Sequence, residues 1–82
     1  MVSTIYSVVI QDLYDDCIEV RGSFLNFADA FSFAKEIVSD WTEKEHCEIC
    51  KFFVQDIDSF TVYDEYNVPV YIVSVEANDL FA

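Results

Sequence analysis

NFADAFSFAKEIVSDWTE, Asn26–Glu43, decides the fold. Asn26 is a good N-cap, and Asp29 at the third helical position favours the positive end of a helix. From Phe27 onward Phe27, Ala30, Phe31, Ala34, Ile37, Val38 and Trp41 fall on one stripe of period 3.6, with polar residues around most of the remainder. The pattern predicts an amphipathic helix over Phe27–Glu43, fraying through Glu45.

On both sides the period changes to two. Upstream, Thr4–Ile10 is β-branched and aromatic, as a strand requires. Gln11–Asp16 reads as a polar turn and Cys17–Arg21 as a second strand, with Gly22-Ser23 closing that unit. Downstream of the polar stretch His46–Glu48, strands are expected over Ile49–Ile57, Phe60–Asp64 and Val68–Glu76. Pro69 suits a strand start because it lacks an N–H. Ala77–Ala82 reads as a loose tail. The expected order is β-β-α-β-β-β, an α+β fold with a mainly antiparallel sheet of four to five strands. One helix packs across one face. The other face is left uncovered, with Phe53, alternating with Lys51 and Gln55, as one candidate to lie on it.

The 82 residues suit a single domain, 1–82, without repeats or linkers. A hydrophobic fraction of 54% is too high for a disordered acidic tail, so the chain is expected to fold. An aromatic fraction of 17% leaves rings to spare for an interface. No apolar run approaches the ~20 residues of a membrane span, and MVSTIYSVVIQD lacks a basic leader. A cytoplasmic location, with the three cysteines reduced, is the expectation.

Charge is the outlier. Sixteen acids against four bases give a net charge of −12, which repels itself within a compact domain. Solubility, attraction to a basic partner and imitation of a nucleic-acid backbone are three explanations. Direct binding to nucleic acid or an anionic membrane is disfavoured, since only Arg21, Lys35, Lys44 and Lys51 are there to meet phosphates.

Two constellations raise the question of chemistry. In His46-Cys47-Glu48-Ile49-Cys50 the Cys-x-x-Cys spacing lets two thiolates reach one zinc, with His46 and Cys17 to complete a set. Structural zinc sites usually show two spaced pairs, however, and adjacent His46 and Cys47 are awkwardly placed for one ion. Redox use wants a helix N-terminus, whereas this motif follows a helix among Glu43, Glu45 and Glu48. Paired carboxylates such as Asp15-Asp16 lack a nucleophile, a phosphate loop or more than one histidine beside them. The expectation is no metal, no cofactor and no catalysis.

The acids themselves are more informative. At ~100° per residue, Asp29, Glu36, Asp40 and Glu43 fall within about 60° of arc opposite the apolar stripe. A rise of ~1.5 Å per residue sets Glu36 about 10 Å from Asp29 and Asp40 about 6 Å from Glu36. Phosphates along a DNA strand recur on a similar scale. An ordinary solvated helix face carries mixed signs. No lysine sits within this row, although Lys44 follows at its end, and Phe33 falls close to it. A second set lies in the C-terminal half, where six acids meet no base from Phe52 to Ala82. There Asp56, Asp58, Asp64 and Glu65 cluster at strand ends and turns, interleaved with Tyr63 and Tyr66. Tyrosine among charges suits a binding surface, and aspartate in turns equally suits local hydrogen bonds.

In size, acidity and lack of catalytic parts, the chain resembles small phage-encoded inhibitors of host defence, the DNA-mimic anti-restriction and anti-CRISPR proteins. Those proteins share no common motif, so no residue carries over. The resemblance implies an inhibitor of a basic nucleic-acid-binding protein or complex, acting in a host cytoplasm. The alternative is a structural or adaptor module whose aromatic sheet face forms a homodimer or docks on a larger assembly.

Overall fold

The computed structural model describes residues 2–43 and 50–81. It contains β1 (Val2–Asp12), β2 (Cys17–Phe24), α1 (Phe27–Glu43), β3 (Phe52–Gln55), β4 (Ser59–Tyr63) and β5 (Pro69–Phe81). The expected α+β order is therefore present. The strands form one antiparallel sheet in the order β2-β1-β5-β4-β3, with α1 across one face. The expected fraying through Glu45, and the start of the third strand at Ile49, lie outside the described residues.

Local chemistry starts the helix as expected. The Asp29 amide donates to the Asn26 side-chain oxygen at 2.8 Å, and the Asn26 amide group returns a bond to the Asp29 carboxylate at 2.9 Å. This reciprocal cap satisfies a helix-end donor and sets the entry angle. Ala30, Ala34 and Val38 then pack without exposure against Val8, Phe60, Val62 and Val73. The small alanines bring the helix close to the sheet. Around them Phe31 tilts on Phe60 at 4.8 Å and Trp41 on Tyr71 at 4.9 Å.

Several strand boundaries differ from expectation, set by pairing across the sheet; β4, for example, is Ser59–Tyr63, so Asp64 lies past its end. Ala77–Phe81 is no tail: it extends β5 and pairs with Val2–Tyr6 of β1. Beyond the reach of β2 and β4, Val2–Ile5 and Asn78–Phe81 form a two-stranded ribbon, and the molecule measures 47 × 23 × 20 Å. Gln11 and Asp12 belong to β1, since they face Ile72 and Tyr71, so the turn shortens to 13–16. Gly22-Ser23 does not close the second strand, which continues to Phe24 past a bulge between Val8 and Val9. A Cβ on Gly22 would lie 3.2 Å from the Phe24 ring, a tight approach, and in ordinary contact with Phe33 at 3.5 Å, so glycine eases the packing of Phe24. The third strand is confined to Phe52–Gln55.

The uncovered face exists, but Phe53 is not on it. Phe53 pairs with Val62, a buried core residue, and meets Phe60 edge-on at 5.6 Å beneath the helix. By alternation, Phe52 and Val54 take the helix-free face. Phe52 stacks there on Tyr63 at 4.9 Å with ring planes 7° apart. At the other edge Ile18 and Val20, opposite Gln11 and Val9, are 71% and 61% exposed on the same face.

Candidate partner-binding surfaces

Glu36, Asp40 and Glu43 are exposed along the outer side of α1, as their spacing predicts. With Phe33, Ile37, Lys35 and two serines they line an open depression of about 690 Å³. Lys35 thus joins the acidic surface, which the row Asp29-Glu36-Asp40-Glu43 did not include. Asp29 stands apart, exposed in the first turn with its carboxylate in the helix cap. Phe33 does not stand free among the carboxylates. It is half-buried, its ring 5.2 Å from Phe24, and offers only part of one side to the depression.

The C-terminal acids do not form one cluster. Asp56 and Asp58 are exposed in the β3–β4 turn, where the Asp56 amide donates to the Ser59 carbonyl at 2.7 Å and its carboxylate accepts from the Ile57 amide at 3.0 Å. Asp64, Glu65 and Tyr66 lie beyond the far end of β4, a strand of five residues and roughly 17 Å. Sequence proximity concealed this separation because a strand carries its two ends apart as fast as a chain can. Tyr63 is half-buried on the helix-free face, its ring stacked on Phe52.

Asp64 is buried, and its bonds are internal. Its Oδ1 accepts from the amides of Tyr66 (2.8 Å) and Val68 (3.0 Å), and its Oδ2 accepts from the Tyr14 hydroxyl at 3.4 Å. Asn67 takes the left-handed conformation that this turn needs (φ 62°), which asparagine tolerates. Glu65 and Tyr66 project from the same turn into solvent.

The Tyr14 bond brings in a residue that sequence reasoning passed over. The β1–β2 turn sits at the same end of the sheet as the β4–β5 turn. Its Asp12 carboxylate accepts from the amides of Tyr14 (2.9 Å) and Asp15 (3.2 Å), and Asp16 is left-handed at φ 53°. This end therefore gathers Asp12, Asp15, Asp16 and Glu65 around Tyr14 and Tyr66. The signal was the run Asp15-Asp16, whose neighbour across the sheet only the strand order supplies. Desolvation raises the Tyr14 phenol above its usual value of 10.0. Much of the ring is exposed, but the hydroxyl lies against Asp64, whose charge and hydrogen bond raise the value further, with a contribution from Cys50.

Of the metal candidates, Cys17 is an exposed thiol and Cys50 is buried in the core. His46 and Cys47 lie outside the described residues. No group of three or more metal-binding side chains occurs among the described residues, and no helix there is long and apolar enough to cross a membrane. Comparison with models of protein families, with curated proteins and with solved structures finds no match for this chain.

Proposed function

We propose that this chain is an acidic binding protein that occupies the basic, nucleic-acid-contacting groove of a DNA- or RNA-handling partner. It acts as an inhibitor of the phage anti-restriction or anti-CRISPR kind, without catalysis or cofactor. The observation that carries the reading is the exposed row Glu36, Asp40 and Glu43 on one rigid helix, beside the partly open ring of Phe33. A helix packed by Ala30, Ala34 and Val38 holds its carboxylates at fixed spacing, so partner lysines and arginines meet a preorganised array in place of phosphates. The acids of the β1–β2 and β4–β5 turns supply a second negative surface.

The test is competition. The purified chain should retain a basic nucleic-acid-binding protein from its native host's lysate, and duplex DNA or RNA should displace that protein. The double reversal E36K/D40K should slow association, and rising salt should weaken binding steeply. Binding that ignores both salt and this double reversal points to the second reading. There the helix-free sheet face, with Ile18, Val20, Phe52 and Val54 exposed by 40–71%, docks on a partner or a second copy.

A further inference from the structure

Between the C-terminal part of α1 and the edge strand β2 lies a notch of about 320 Å³. Trp41 and Tyr71, with ring centroids 4.9 Å apart, line it together with Asp12, Cys17, Glu19 and Arg21. It exists because Trp41 settles on β5, leaving the start of β2 uncovered by the helix. We infer that this notch is a receptor for an arginine side chain of the partner, an inference that rests on the proposed binding of a basic protein.

The chemistry is complementary on each side. Aromatic faces attract a cation by their quadrupole, and a guanidinium also stacks flat on them. Asp12 supplies a carboxylate held in place by the amides of Tyr14 and Asp15. Glu19 supplies a second, and it already grips a guanidinium: Arg21 Nε lies 3.1 Å from Glu19 Oε1. Arg21 is about half exposed and bound only at the surface, so an incoming arginine can take over its carboxylate. The chain's own arginine thus occupies the position of the guest, and the field of a −12 chain concentrates cations at the opening.

Trp41 is the sole tryptophan, so it reports on the notch directly. The full chain is titrated with a capped Gly-Arg-Gly peptide at constant ionic strength, and with the same peptide carrying citrulline, which keeps the shape and loses the charge. A saturable change in Trp41 fluorescence is expected with arginine, at least about five-fold weaker with citrulline. Glu19→Gln should weaken binding several-fold. Arg21→Gln should tighten it several-fold, because the competitor is gone. Both variants replace exposed side chains, and circular dichroism checks that the fold persists. Equal responses to the two peptides, no saturable response, indifference to E19Q or weaker binding by R21Q would each overturn the inference. The outcome is separate from that of the helix face. If E36K/D40K leaves the whole partner bound while the arginine peptide still titrates Trp41, the helix reading fails and the notch stands; the reverse pattern removes the notch alone.

Discussion

The Tyr14 hydroxyl donates to the Asp64 Oδ2 at 3.4 Å, tying the turn after β1 to the turn after β4 across 50 residues of sequence. Asp64 thereby accepts from three donors while buried. Removing a buried acceptor strands its donors, and bonds to charged groups contribute about 1.5–3 kcal/mol. Asp64→Ala should therefore lower unfolding free energy by about 2–3 kcal/mol in urea titration. Tyr14→Phe, which removes one long bond from an exposed side chain, should cost much less than Asp64→Ala. An unchanged midpoint for Asp64→Ala would refute the bracing role.

Alkaline pH tests the same pair with a definite sign. A phenol whose value is raised on folding keeps its proton longer in the native state than in the unfolded one. Its contribution is complete below the ordinary value of 10.0 and is lost as pH climbs past it, because the unfolded chain ionises first. Stability should fall as pH rises past about 10, and Tyr14→Phe should flatten that fall. Parallel curves for the two proteins would show that Tyr14 is not responsible.

Phe33 has a double duty, which complicates its use as a binding probe. Its ring lies on Phe24 over Gly22, so Phe33→Ala should cost about 1–2 kcal/mol of stability in the free protein. Thermal unfolding measures this directly. A truncation that leaves stability intact while releasing the partner would identify Phe33 as a surface anchor instead.

The ribbon makes a prediction by hydrogen exchange. Deleting residues 78–82 removes the strand opposite Val2–Ile5, so those amides should lose protection. Val8 and Ile10, buried under α1 and flanked by β2 and β5, should keep theirs. Equal loss in both segments would mean that the ribbon and the body unfold together.

The helix was legible because everything that determines it is local: Asn26 caps, seven apolar residues repeat at 3.6, and the helix begins at Phe27 as its cap predicts. What sequence missed depends on partners far along the chain. Asn78-Asp79 breaks strand alternation, yet Thr4 pairs with Asp79 and donates to it at 3.3 Å. Phe52-Phe53 leaves the phase of its strand open, and only the register with Val62 assigns Phe53 to the core. Asp64 carries the turn signal as strongly as the charge signal, and burial alone separates the two roles. The notch left no trace, since Trp41 sat on a stripe that reads as core and its neighbours Asp12, Glu19 and Tyr71 come from three strands.

Val2 faces Phe81 at the tip of the ribbon, which has a practical meaning for handling the molecule. Whatever is attached ahead of Val2 or behind Phe81 leaves from one point, at the end of the long axis opposite the Tyr14–Asp64 junction. A purification tag or a sensor-chip tether placed at either terminus therefore keeps clear of the paired turns. A short glycine-rich bridge between the two termini should yield a circularly permuted chain, newly opened in the exposed Asp56–Asp58 turn, with its sheet order preserved.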